Sequence, residues 1–395
     1  MPRTKSTDEM RDDFARVIRP LETADTLAPY YYFSDDVLER ETDEIFLREW
    51  ACIGREDEIP QAGDYFTMTI LGETIIVCRD AAGGVQVLSA ACRHRGALVV
   101  EGRGNRRSFE CPFHGWVYGL DGSLKAAPQM HRTEGFERKE CALPSIRHEL
   151  WHGFLFINFD PDAAPLAPRL RGIDERFANY KFSDLRCAGE PMTFYNECNW
   201  KLSVEQGVDM YHVPSIHGQA GMEAAGIYKV NETVGAQDPD GAWTFSTTPT
   251  EKPHPFVTGT QLGKSPFPAI EGLTAHELSA FVLILIYPNT LIAPTPDGAL
   301  LFCFYPEGPH RTMARLNVCY PESTTKMPDF EKHADDARKG FEVLNYEDMG
   351  GAKITHEGMN SRFLPAGRFS HLERTTWELN KYVIQKLQAA DPSLR

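Results

Sequence analysis

No apolar stretch in this sequence is long. Segments such as FVLILI at 281–286 have the length of a strand, far short of the roughly 20 residues that cross a bilayer. No membrane-spanning helix is therefore expected. Positive charge is scarce as well. Lys and Arg number 41 against 56 Asp and Glu, giving a formal net charge of −15. Phosphate backbones are bound by basic surfaces, so a nucleic-acid partner is not expected. The N-terminus, MPRTKSTDEMRDDF, lacks the apolar core of a secretory signal, which points to the cytoplasm. Neither repeats nor low-complexity tracts interrupt the chain. The nine cysteines are odd in number and scattered, a pattern of reduced thiols rather than a disulfide framework.

What is present fits a soluble globular chain of two domains, or of one domain with a large insertion, with 42% hydrophobic and 25% charged residues in a length of 395. Residues 35–50, DDVLERETDEIFLREW, have helical apolar spacing behind Asp35 or Asp36 as N-cap. From 51 to 160 the pattern changes to short strands and turns, including DYFTMTIL, TIIVCRD and GFLFINF. Three prolines in PDAAPLAPRL at 161–170 read as a linker. NWKLSVEQGVDMYHVPSIH at 199–217 reads as a helix up to about Tyr211, broken by Pro214. Residues 241–320 read as an antiparallel meander with a TPDG turn at 295–298, and two helices close the chain. The expected class is α+β, a small all-β domain inserted near the start of a larger domain whose central antiparallel sheet is flanked by helices.

The chemistry concentrates in two places. In ACRHRGALVVEGRGNRRSFECPFHGWVYGLDG (91–122), Cys92 pairs with His94 and Cys111 with His114. A structural zinc site normally takes pairs such as Cys-x-x-Cys and His-x3–5-His, each pair gripping one metal. One Cys and one His from each of two loops suits a binuclear cluster better, with both thiolates on one iron and both imidazoles on the other. Gly96, Gly115 and Gly119 let the loops turn tightly, and Pro112 stiffens the second. In EQGVDMYHVPSIH, His212 and His217 lie five apart, with Asp209 three before the first. Two neutral imidazoles and a carboxylate would leave iron(II) positions open for oxygen and substrate. Alone, such a pair is weak, because core or surface histidines explain it equally well.

At these residues the chain resembles the Rieske-type non-heme iron ring-hydroxylating oxygenases, large (α) subunit. CRHRG followed by CPFHGWVYGLDG is similar to the family's cluster motif, and NWKLSVEQGVDMYH is similar to its iron-site helix. The resemblance runs from about Tyr30 to Leu387. It implies a 2Fe–2S cluster on Cys92, His94, Cys111 and His114, and a mononuclear Fe(II) on His212, His217 and Asp348. Asp348 is placed by LNYEDMGGAKITHEGMNS, which resembles the family's late helix. Its neighbour Glu347 is the competing carboxylate, but adjacent helical residues face about 100° apart, so only one is expected to point inward. Asp209 is implied to be no ligand but a bridge, hydrogen-bonded to His212 and to a cluster histidine of a neighbouring subunit. Departures from the family pattern are Phe113 where Tyr is frequent, Gln206 where Asn is common, and Gly351 and His356 in the late helix.

The resemblance divides the chain into a helical segment at 1–48 that packs on the catalytic domain, a Rieske domain at 49–160 and a catalytic domain at 161–395. It implies a homotrimer in which electrons pass between subunits. There is no G-x-G-x-x-G turn for a nicotinamide or flavin, since EGRGNRR lacks the third glycine, and no plant-type ferredoxin cysteine run. Electrons should come from a separate NAD(P)H-dependent reductase, directly or through a ferredoxin. Arg93, Arg95, Arg103, Arg106 and Arg107 make a basic patch on which an acidic donor could dock. Leu344, Phe281, Tyr287 and Trp243 are candidates for the pocket wall. The first reading is a terminal oxygenase that uses O2 to hydroxylate or dihydroxylate an aromatic substrate. The alternative is a monooxygenase or demethylase acting on a quaternary ammonium or other non-aromatic molecule. A Rieske electron-transfer or redox-sensing protein and a zinc-stabilised binding module are the readings from other classes.

Overall fold

The fold is that of a computed structural model, which describes residues 5–218, 233–250 and 265–395. The chain falls into two compact units, one formed by residues 53–163 and the other by 1–52 together with 164–395. Among the described residues, no helix is long and apolar enough to cross a membrane.

The smaller unit is built of strands and turns with three single-turn helices, Glu56–Glu58, Met130–Arg132 and Arg138–Glu140. Its four-stranded antiparallel sheet runs in the order Val85–Ser89, Glu73–Arg79, Asp64–Ile70, Arg103–Asn105. A three-stranded meander follows, Ser108–Glu110, Val117–Gly119 and Leu124–Ala126. Tyr65, Ile76, Leu88, Phe109, Trp116 and Tyr118 form one buried core, and Cys92 and Cys111 are part of it.

The larger unit is built on one antiparallel sheet. Its strands run in the order Leu185–Cys187, Thr312–Pro321, Gly298–Pro306, Thr290–Thr295, Ala280–Ile286, Trp243–Pro249, Val234–Gln237, and Met192–Asn196 also pairs with Thr312–Pro321. The expected TPDG turn joins the strands ending at Thr295 and beginning at Gly298. Part of the expected meander, residues 251–264, lies outside the described residues. The two closing helices are Phe330–Met359 and Arg374–Ala390.

Local chemistry explains where elements start and stop differently from expectation. The helix expected at 35–50 is capped by Ser34, whose hydroxyl accepts the Val37 N–H, so Asp35 and Asp36 fall in its first turn. It continues past Glu41 as a wide turn, Thr42–Phe46, in which the Leu47 N–H reaches the Thr42 carbonyl. The proline-rich stretch at 161–170 is only partly a linker. Leu166–Arg176 is a helix, and Pro168 sits in its first turn, where a missing N–H costs no intrahelical bond. The helix expected to reach Tyr211 ends at Val208. Asp209 turns to an extended conformation (ψ 120°) and its carboxylate accepts the Tyr211 N–H at 2.5 Å. An aspartate that caps its own backbone two residues on competes with helix continuation. Pro214 therefore falls inside a second short helix, Val213–Ile216, rather than ending the first.

Candidate active site

The two Cys/His loops have the same build. Cys92 N–H donates to the Ala97 carbonyl at 2.9 Å and Gly96 N–H to the Cys92 carbonyl at 2.8 Å. In the second loop Cys111 N–H donates to Trp116 at 2.8 Å and Gly115 N–H to Cys111 at 3.0 Å. Gly96 and Gly115 hold φ of +79° and +66°, which a side chain would strain, so glycine closes each loop. The geometry brings the sequence-predicted residues together. His94 Nδ1 and His114 Nδ1 lie 3.0 Å apart at the surface, and both cysteines are buried behind them. Two nitrogens on one iron at about 2.1 Å bonds and a near-right angle would be about 3 Å apart, so the pair fits one metal corner. The His94 ring stacks on Trp116, with centroids 5.0 Å apart. Sequence reasoning missed Tyr118. Its hydroxyl accepts the Arg93 N–H at 3.0 Å and lies 3.2 Å from Cys92 Sγ, where it can donate to a thiolate. Burial, and then Cys92 itself, push the Tyr118 phenol up and keep it a donor. Phe113 is exposed, beside the His114 ring.

In the larger unit, the Asn-Trp-Lys entry has a physical role at each residue. Asn199 caps the helix Trp200–Val208 through the Lys201 N–H. The Trp200 indole and the Lys201 ammonium both donate to the buried Glu41, each at 2.7 Å. A buried lysine with a carboxylate and an indole around that carboxylate anchors the helix in place. At the far end of this helix His212, His217 and Asp348 converge. His212 Nε2 and His217 Nε2 are 3.3 Å apart, and Asp348 Oδ1 stands 3.3 Å from the first and 3.1 Å from the second. These are three mutually adjacent donors on one side, as an octahedral metal with open positions requires. Burial opposes charge on His212, but the Asp209 and Asp348 carboxylates outweigh it and push this imidazole up to about 9. Burial acts against Asp348 too, yet the two histidines hold it below the ordinary carboxylate value.

Around the triad, Gln206 Nε2 donates to Asp348 Oδ1 at 3.2 Å, so the Gln in place of Asn still supplies a contact. Asp209 Oδ2 is 3.4 Å from His212 Nδ1, within the larger unit. Glu347 departs from expectation. It does not face away from the site, since its Oε2 lies 2.8 Å from His217 Nδ1, while Asp348 faces the Nε2 side of the same ring.

Beside the triad is a cavity of about 140 Å³. Phe281, Phe302, Phe304, Phe341 and Leu344 wall it, with Asn196, Ser203, Gln206 and Asn345 as its neutral polar groups. Phe281 and Leu344 are thus where they were expected. Tyr287 and Trp243 are not among the lining residues. Tyr287 stacks flat on Tyr382, with centroids 4.3 Å apart, and Trp243 packs against Gly172 in the core. Phe302 and Phe304 were missed. Both neighbouring parities of Gly298–Pro306 are apolar, so alternation alone does not say which face lines a cavity.

The regions that carry both constellations match known protein families. Residues 49–142 match the Rieske [2Fe-2S] domain, and residues 182–389 match the ring hydroxylating alpha subunit (catalytic domain). The chain belongs to the Rieske-type ring-hydroxylating oxygenase α-subunit family. Membership in this oxidoreductase family implies a Rieske 2Fe–2S cluster and a mononuclear iron. The chain is similar to the carnitine monooxygenase oxygenase subunit of Escherichia coli (strain K12), at 24% identity over 345 residues that cover 85% of each chain. It is 32% identical to the Acinetobacter baumannii carnitine monooxygenase oxygenase subunit over 195 residues, 49% of this chain and 52% of that one. The match thus spans about half the length of the Acinetobacter protein. A solved quaternary ammonium Rieske monooxygenase, described in connection with carnitine oxidation and inter-subunit electron transfer, has the same fold. Its TM-score is 0.76 at 22% identity, covering 96% of this chain and 98% of that one.

Proposed function

We propose that this oxygenase is the terminal component of a multicomponent monooxygenase acting on an N-methylated small molecule, a quaternary ammonium compound in the first instance. Similarity to the carnitine monooxygenase subunits favours this alternative over the aromatic substrate that the family resemblance first suggested. The observation that carries it is the cavity. Four phenylalanine rings wall it, and among its described lining residues the charged groups are acids, Asp209 and Asp348, with two histidines. Aromatic faces attract a cation, and a trimethylammonium head has no N–H to satisfy.

His212, His217 and Asp348 would hold the iron, and Cys92, His94, Cys111 and His114 the cluster. Bound there, the iron supplies the O2 chemistry and the cluster the electrons. The chain's own groups bind and orient. The phenylalanine walls exclude water and present one methyl group to the triad, and Gln206 fixes the Asp348 carboxylate. Asp209 orients His212 and is the bridge toward a neighbouring subunit's cluster in a homotrimer. In the overall reaction one oxygen atom of O2 enters the C–H bond of the substrate and the other leaves as water, with two electrons from NAD(P)H through a separate reductase. The C–N bond of the hydroxymethyl group then breaks, leaving its electron pair on nitrogen as a tertiary amine, while the carbon departs as formaldehyde and the hydroxyl proton goes to water.

The test is turnover of the holoenzyme with a reductase, 18O2, and paired panels of N-methylated compounds and arenes. Labelled hydroxylation or demethylation of an N-methyl compound is expected. Labelled arene diols with no N-methyl product would overturn the substrate class.

A further inference from the structure

Each histidine of the triad uses Nε2 toward the centre, so each needs its second nitrogen, Nδ1, to carry the proton. An imidazole protonated at Nε2 presents no lone pair there. The proton stays on Nδ1 when an acceptor faces it, and a carboxylate is the strongest such acceptor. His217 Nδ1 has Glu347 Oε2 at 2.8 Å, a direct charge-assisted hydrogen bond. His212 Nδ1 has Asp209 at 3.4 Å, and the same Asp209 also accepts the Tyr211 N–H. Glu347 is thus the closer of the two braces.

We propose that Glu347 is a positioning residue that fixes the tautomer and ring orientation of His217, so that one helix, Phe330–Met359, supplies a ligand (Asp348) and the brace of another. The proposal rests on the reading of His212, His217 and Asp348 as the iron site. It gives the adjacent acid pair a division of labour. Asp348 faces Nε2 and the centre, Glu347 faces Nδ1 from outside, and the roughly 100° between consecutive helical side chains lets them grip opposite edges of one ring. The brace is half-exposed, its side chain 42% accessible, so its removal leaves no buried charge behind.

The experiment compares Glu347→Ala, Glu347→Gln and His217→Ala in the full-length protein. The rate of mononuclear iron loss to a ferrous chelator is followed while the cluster absorbance reports integrity. The visible bands of the Co(II)-substituted site are recorded in parallel. Glu347→Ala should lose iron about tenfold faster or more, the usual effect of removing a hydrogen-bond partner from a metal-bound histidine, with shifted cobalt bands and an unchanged thermal midpoint. Glu347→Gln keeps an oxygen acceptor for the same N–H and should recover most of the retention. Wild-type iron loss and cobalt bands in Glu347→Ala, beside an iron-free His217→Ala, would overturn the proposal and leave the site reading intact. So would a Gln variant as poor as the Ala one. Retention of mononuclear iron by His217→Ala would instead overturn the site reading itself.

Discussion

Two adjacent glycines on the helix carrying Asp348 should respond in opposite ways to substitution. A Cβ on Gly350 would meet nothing within 4 Å, whereas one on Gly351 would come within 3.1 Å of Ile216 Cδ1 and 3.7 Å of Gln206 Nε2. Gly350→Ala therefore gains helix propensity alone, about 1 kcal/mol, or a rise of about 1–2 °C in thermal midpoint at this size. Gly351→Leu gains most of the same propensity but drives four carbons toward the segment Val213–Ile216, which ends at His217. Overpacking costs about 1–3 kcal/mol, so the net stability should be unchanged or slightly lower. Function should suffer more, because Ile216 precedes a proposed ligand and Gln206 holds Asp348. A displacement of about 1 Å at a reacting centre can cost a hundredfold in rate. The assay is iron content after gel filtration, turnover, and thermal midpoint for both variants. Gly350→Ala should keep iron and turnover, and Gly351→Leu should lose most of both while its cluster spectrum stays intact. Full iron and turnover in Gly351→Leu would refute the claim that close approach of these two segments sets the site.

Replacing His212 or His217 by Ala should remove the mononuclear iron and all product while leaving the cluster spectrum, whose proposed ligands lie in the other compact unit; this is read by iron analysis and visible absorption. Asp209→Ala should leave both metals bound and donor reduction of the cluster near normal, yet slow cluster reoxidation by oxygen and substrate by orders of magnitude in rapid-mixing spectroscopy. Wild-type reoxidation would reduce Asp209 to a helix-ending residue. His356 is buried, stacked on Phe33, and held down to about 4 by burial, the facing His310 and Lys201. The unfolded chain takes up this proton near pH 6.5, so stability should fall as pH drops from 6.5 toward 4. By pH 5 the loss is at most about 2 kcal/mol, the limit set by 1.5 pH units at about 1.4 kcal/mol each, and solvent screening lowers it. Denaturant unfolding of His356→Gln at pH 7 and pH 5 should show a smaller difference than the parent, and an equal difference would refute the assignment.

The sequence by itself made the paired Cys/His loops legible, because ligand spacing within a loop is a local property. Cys92-x-His94 and Cys111-x-x-His114 are short loops whose glycines could be recognised as turn residues, and the structure sets both imidazoles 3.0 Å apart. The strands of the meander and the two closing helices were legible for the same reason, each being a run of one periodicity. Ends of elements were less legible, since side chains a few residues away decide them, as Ser34 and Asp209 do. Distant partners could not be read at all. Asp348 lies 131 residues beyond His217 and was found by family resemblance, not by its own neighbourhood. Nothing local tells that Glu41 anchors Trp200 and Lys201, that Tyr118 faces Cys92, or that Phe302 and not Cys303 meets a cavity. The adjacent acids show the limit most plainly. Helix geometry separates Glu347 from Asp348 by direction, but only the tertiary structure sets the His217 ring between them, because a contact across 130 residues depends on how the two segments pack.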